Sequence, residues 1–210
     1  MAGNKEKVGF IFECGRGGPD YEVCSHFLER LNPKIEMIPR FLDNKQGLVT
    51  GCGDVAAALL VAEKCNRVVV TWDLEPAWGG VACRHNDKEL AFESLKNAKV
   101  PMQRVLLLCI ERELECWLMA DKRALRTVIG RYKHPHPVGK LPDFKRPDEE
   151  IGRPKTALIS SFKQELGHGC KYVDRDHAIL LAQSVPDWSK LRRSRSFDRF
   201  ATKAARVVLP

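Results

Sequence analysis

The chain has 210 residues, with 35 basic and 27 acidic side chains and a formal net charge of +8. Its 44% hydrophobic and 30% charged content predicts a packed core in one domain, or in one domain with an appendage. No apolar run is long enough to span a bilayer and residues 1–7 carry no apolar signal stretch, so a cytoplasmic protein is expected and a membrane partner is not.

Residues 8–12 form a short apolar run that reads as a buried strand, and Glu13 follows it directly. The turn Cys14-Gly15-Arg16-Gly17-Gly18-Pro19 leads into a helix expected from Asp20 to about Leu31. A second strand is expected over residues 35–38, ending at Pro39. A polar loop holding Thr50-Gly51-Cys52-Gly53-Asp54 should precede an Ala- and Leu-rich helix to about Lys64. The third strand spans residues 67–72. A loop follows over residues 73–80, then a helix over 86–98 and a fourth strand over 104–110. Residues 113–131 show helical periodicity, with Leu114, Trp117, Leu118, Leu125, Val128 and Ile129 on one face. Residues 134–154 carry five prolines and read as a long loop. Short helices are expected over 155–166, 174–183 and 196–207.

Strands alternating with helices predict an α/β fold, with a mainly parallel four-stranded sheet and helices on both faces. The core is placed at residues 1–130. A Pro-rich loop and basic helical extension, packed on that core, occupy 131–210.

Three expected strands end in acids: Glu13, the pair Asp73 and Glu75, and the group Glu111, Glu113 and Glu115. Open α/β sheets bind ligands at the C-terminal ends of their strands. Carboxylates gathered there repel one another unless a cation joins them, which points to a divalent metal. If the chain stays extended, Asp73 and Glu75 leave the same face. Two ions ~3.5–4 Å apart would stabilise both the attacking and the leaving oxygen of a phosphodiester. Each feature also has a plain structural explanation. Acids favour a first helical turn through the helix dipole, a loop acid caps the next element, and glycines make turns. Trp72 and Trp78 read as packing residues. The glycine turn matches neither a P-loop nor a dinucleotide fingerprint. Cys14 is a conceivable nucleophile without a marked histidine partner.

The eight cysteines are scattered without a C-x2-C pair and are expected to be reduced, mostly buried thiols. Cys83 with His85, His134 with His136, and His168 with Cys170 give only a weak composite zinc pattern. Basic residues crowd the C-terminal third, which reads either as solvated surface or as a phosphate-contacting face. The candidates there are Arg153, Lys155, Lys171, Arg192, Arg193 and Arg199.

With these residues in place, the chain resembles the Toprim catalytic domain. Glu13 matches its first acid, Asp20 the trailing acid, and Asp73-Leu74-Glu75 its D-x-D. The stretch from Glu113 through Trp117 and Leu118 to Asp121 is similar to the E-x-E-x-W-L-x-A-D of small stand-alone bacterial Toprim-like proteins related to the OLD-family nuclease module. The likeness covers roughly residues 8–121 and extends faintly to residues 196–200. Cys14 replaces the family's glycine, and the second D-x-D acid is a glutamate. The resemblance implies a Mg2+- or Mn2+-dependent nuclease acting on DNA or RNA, tRNA included. Such proteins are often encoded beside an SMC-like or AAA-type ATPase, and the expected context is defence against phage. It further implies Glu13, Asp73, Glu75 and Glu113 as metal ligands, with Glu13, Asp73, Glu75 and Glu115 catalytic. No tyrosine-nucleophile domain is seen, so topoisomerase chemistry is not expected. A non-catalytic binding or sensor subunit on the same fold stays open beside this reading. A small-nucleotide phosphotransferase would need a nucleotide cradle, which the sequence does not show.

Overall fold

The computed structural model describes residues 5–75, 83–167 and 171–209. Four strands, β1 (Glu6–Phe12), β2 (Ile35–Phe41), β3 (Arg67–Asp73) and β4 (Val105–Ile110), form one all-parallel sheet in the order β2-β1-β3-β4. The crossovers carry α1 (Pro19–Leu31), α2 (Lys45–Val61) and α3 (Arg84–Asn97). Strand side chains alternate between two cores, because successive residues point to opposite faces. Val8, Phe10, Phe12 and Val69 pack with α1 on one face. Ile11, Val68, Val70 and Trp72 pack with α2 and α3 on the other.

This arrangement fixes where a ligand site should lie. From β1 the chain crosses by α1 to β2 on one side, and from β3 it crosses by α3 to β4 on the other. The helices thereby leave opposite faces between the neighbouring strands β1 and β3. That gap is a topological switch point, and its C-terminal end is the crevice where open sheets hold ligands.

The structure corrects three expectations. β2 runs through Pro39 instead of ending there. It is an edge strand, paired only with β1, and an edge tolerates a residue without an N–H. The glycine-rich stretch near Gly51 is inside α2, not in a loop before it. Asn44 caps that helix, its side-chain oxygen accepting from Gly47 N at 2.7 Å. The helical periodicity after Glu113 is broken into α4 (Glu115–Met119) and α5 (Lys122–Lys133), because Asp121 turns its carboxylate onto Arg123 N at 2.9 Å and caps a new helix.

Gly53 is where α2 meets α3. A Cβ there would sit 2.1 Å from the carbonyl oxygen of Ser94, whereas one at Gly51 would meet nothing within 4 Å. Gly53→Ala should therefore cost ~2–3 kcal/mol and lower the melting temperature by roughly 4–12 °C. Gly51→Ala should hold or raise it, since it relieves the backbone entropy cost of a mid-helix glycine. Thermal melts of the pair check this.

The C-terminal extension comprises α6 (Pro147–Glu150), α7 (Pro154–Leu166), α8 (Asp174–Gln183) and α9 (Arg195–Arg199), the last running into a π turn over Phe200–Ala204. Its Leu141, Phe162, Tyr172, Leu181, Phe197 and Phe200 join the same buried cluster as Phe10 and Phe12. Arg67, 8% exposed at the start of β3, donates to the carbonyls of Lys203 at 3.3 Å and Ala204 at 2.7 Å and pairs with Glu6 at 2.9 Å. The extension is thus tied to the sheet through core packing and through a buried guanidinium. Among the described residues no helix is long and apolar enough to cross a membrane.

Candidate acidic site at the sheet switch point

Glu13 follows β1 and Asp73 ends β3, so both stand at the switch point. Glu13 Oε1 accepts from Asp73 N at 3.2 Å, and Asp73 Oδ2 accepts from Leu114 N at 3.3 Å. The second oxygen of each carboxylate, Glu13 Oε2 and Asp73 Oδ1, is buried without a hydrogen-bond partner. Leaving such oxygens unsatisfied is costly, and an explanation is required.

Two further acids complete the cluster. Asp20, in the first turn of α1, raises the pKa of both Glu13 and Asp73 through its charge. Glu115 opens α4, is 6% exposed, and also acts on Asp73. Burial is the main cause of every shift in the group, with mutual repulsion added. Glu13 is pushed up to about 7, Glu115 to about 7 and Asp20 to about 6, while Asp73 is raised well above the ordinary carboxylate range. Lys45, 8% exposed at the start of α2, opposes this at Glu13 and donates from Nζ to the Leu74 carbonyl at 2.7 Å.

The extension closes the other side. Tyr172 is buried and donates its hydroxyl to Glu115 Oε1 at 3.3 Å. Lys155 forms an ion pair with Asp174 at 2.5 Å, and its charge also reaches Asp20 and Glu115.

The predicted residues divide accordingly. Glu13, Asp73 and Glu115 converge, and Asp20 joins them. Glu75 does not: its carboxylate pairs with Arg112 at 2.8 Å, and its N–H bonds the Arg112 carbonyl. The chain turns after Asp73, so the two-residue spacing does not put both acids on one face. Glu113 is committed through Oε2 to Lys155 N, at 2.9 Å, in the first turn of α7. It serves as a helix-capping acid there. Glu111 pairs with Arg84 at 2.8 Å. The thiol of Cys14 is pushed up to about 12 by burial and by Asp20, which argues against a nucleophilic thiolate. Trp72 is 1% exposed and donates to Asp87 at 3.2 Å, a packing role. Trp78 and the pair His168 and Cys170 lie outside the described residues.

Among the basic candidates, Arg192 and Arg199 line a groove together with Arg195. Arg193 is turned to the Phe144 carbonyl at 2.9 Å and to Asp143 at 3.5 Å. Arg153 and Lys171 are exposed, Lys171 beside the undescribed segment. The seven described cysteines are all free.

The donor set bears on the metal directly. Among the described residues no group of three His, Cys, Asp or Glu side chains is assembled as a ready-made ligand set. Three carboxylate oxygens are orphaned among the described residues: Glu13 Oε2 and Asp73 Oδ1 at the switch point, and Asp148 Oδ1 in α6. Mg2+ is commonly held by one or two carboxylates, with water and substrate phosphate as the remaining ligands. The residues fit an ion of that kind and not a closed protein cage.

No family model matches the chain, and neither a curated protein nor a solved structure matches it. Sequence reasoning did not find Lys45 or Tyr172 as members of this neighbourhood. Both come from segments with no signature of their own.

Proposed function

We propose that the protein is a metal-dependent hydrolase of nucleic-acid phosphodiesters, of Toprim type. The observation that carries this reading is the pair of orphaned oxygens, Glu13 Oε2 and Asp73 Oδ1, at the switch point of the sheet. Mg2+ or Mn2+ would be held by Glu13 and Asp73. When bound, it supplies charge neutralisation and polarisation of the scissile phosphate. Glu13 and Glu115 both titrate near neutrality, so either can hold or release a proton at working pH. Tyr172 orients the Glu115 carboxyl through its hydroxyl. Lys155 places a cation beside the acids, where it would meet an anionic substrate. DNA and RNA are both admitted by this chemistry. The ATPase partner and the phage-defence setting rest on the resemblance alone.

The test is cleavage of labelled DNA and RNA with Mg2+ or Mn2+. Wild type should cut, Glu13→Gln should lose ~10²–10⁴-fold in rate, and Glu75→Gln should keep most of its activity. Equal cleavage by wild type and Glu13→Gln would remove the acid cluster from the chemistry. The lack of a ready-made three-ligand set among the described residues favours a second reading, a non-catalytic subunit. It predicts no cleavage and no change in melting temperature with millimolar Mn2+.

A further inference from the structure

A groove lined by arginines lies beside the loop that follows Asp73. One cavity of about 480 Å³ is lined by Leu74, Glu75, Arg84, Glu111, Arg112, Asp148 and Arg195. A second, of about 540 Å³, shares Arg84, Glu111 and Arg195 and adds Arg192, Asp198 and Arg199. The shared lining makes them one continuous groove. Five guanidiniums face it from three remote parts of the chain: the start of α3, the turn after β4, and the segment around α9.

Those cations are all arginines, with no lysine among them. A guanidinium presents a planar fork that matches two oxygens of a phosphate, and it keeps its charge at any working pH. Four carboxylates share the lining. Glu75 holds Arg112 at 2.8 Å, Glu111 holds Arg84 at 2.8 Å, and Asp198 stands 3.8 Å from Arg192. Asp148 is 7% exposed and spends Oδ2 on Ser194 Oγ at 3.1 Å and Arg195 N at 2.7 Å. The side chains of Arg84 and Arg195 are 45% and 70% exposed, and ion pairs in such settings are weak and exchange readily for a phosphate.

Arg112 has a φ of +66°, in the left-handed region that side chains other than glycine rarely adopt. Its guanidinium is fixed by Glu75, by the Asp148 carbonyl at 3.2 Å and by the Gly152 carbonyl at 3.3 Å. The groove adjoins the loops that carry the acids. Leu74, the residue after Asp73, lines it, and Leu114 N, two residues beyond Arg112, binds Asp73.

The geometry points to this groove as the track for the phosphate backbone of a nucleic-acid strand, with Arg84, Arg112 and Arg195 as its anchors. The assignment deepens the hydrolase reading and rests on it for the class of substrate.

The experiment is oligonucleotide binding in EDTA, read by fluorescence anisotropy over a range of salt concentrations. Wild type should bind, with affinity falling steeply as salt rises. Arg84→Ala combined with Arg195→Ala should weaken binding ~10-fold or more and reduce the slope of log K against log salt by roughly 2. The matched pair Arg84→Lys with Arg195→Lys should recover part of the slope, and Lys34→Ala, at the opposite end of the sheet, should change nothing. Melting curves confirm that each variant is folded. An unchanged slope in the double alanine variant overturns the groove, as does a wild type that binds no oligonucleotide. Competition by inorganic phosphate or a mononucleotide as effective as competition by an oligonucleotide overturns a strand in favour of a small ligand. Binding through the groove without cleavage in Mg2+ or Mn2+ would instead remove the hydrolase reading and keep the groove.

Discussion

Asp73→Asn is expected to abolish Mg2+- or Mn2+-dependent cleavage, by ~10²-fold or more, and to raise the melting temperature at pH 8. The two effects have one cause. Asp73 stands in a cluster with Glu13, Asp20 and Glu115, and burial, with their charges added, raises its pKa well above that of a free carboxylate. A carboxylate kept there costs stability in the metal-free protein and is useful only when a cation arrives. The amide removes that charge and keeps the shape, and its oxygen can still accept from Leu114 N. The melting temperature of Asp73→Asn at pH 8 should therefore lie above that of wild type. A variant that is more stable yet inactive would be the mark of a functional acid. If Asp73→Asn were inactive and less stable, the acid would be structural.

Stability should fall as pH rises through the range in which these acids ionise. Glu13 moves from 4.5 to about 7, Glu115 from 4.5 to about 7 and Asp20 from 3.8 to about 6. Each folded-state value lies above its unfolded value, so between about pH 4 and pH 7 the folded protein binds more protons than the unfolded chain. These groups therefore contribute stability that is complete below pH 4 and is lost as pH rises through 7. Subtracting the melting curve of Asp73→Asn from that of wild type cancels the effects both share. The difference should grow from pH 5.5 to pH 8. Mn2+ should close it, raising the wild-type melting temperature more at pH 8 than at pH 6, because the ion binds deprotonated carboxylates.

β1, β3 and β4 were legible because each contains a short, nearly continuous apolar run bounded by polar residues, as expected of strands covered on both faces. The acids at their ends were legible for the same reason: Glu13 and Asp73 stand where hydrophobicity stops. What failed to show was anything decided by a partner distant in sequence. Glu75 is two residues from Asp73, yet Arg112, held in a left-handed conformation, draws it away. Glu113 gains a partner that its sequence neighbourhood does not announce, the Lys155 N–H at the start of α7. Tyr172 reaches Glu115 from 57 residues away, and no local pattern encodes that approach. Pro39 and the glycines of α2 misled through local propensity. An edge position excuses the proline, and close helix packing requires the glycine at 53. The arginines of the groove were only partly visible as a basic C-terminal run, because Arg84 and Arg112 join it from elsewhere.

Trp117→Ala should be the most destabilising single change, costing ~3–5 kcal/mol and lowering the melting temperature by roughly 6–20 °C. Trp117 is fully buried, with ring centroids 5.3 Å from Phe197, 5.4 Å from Phe200 and 6.5 Å from Phe27. Its indole N–H donates to Ser196 Oγ at 2.8 Å, Ser196 meets Ser194 Oγ at 3.1 Å, and Ser194 donates to Asp148 Oδ2 at 3.1 Å. One side chain thus joins α1, α4, α9 and the short helix α6. Truncation leaves a cavity, whereas Trp117→Phe keeps most of the packing and leaves Ser196 bonded to Ser194. The phenylalanine variant should therefore cost far less, about 1–2 kcal/mol. Calorimetry distinguishes two accounts of the extension. Because its aromatic residues share one core with β1, Trp117→Ala should still unfold in a single transition at lower temperature. Two separated transitions would show that residues 131–210 fold as a unit of their own. Trp117 also sits two residues beyond Glu115 on α4. Any activity that survives in Trp117→Ala should then show a shifted pH profile, because α4 would no longer hold that carboxyl against Tyr172.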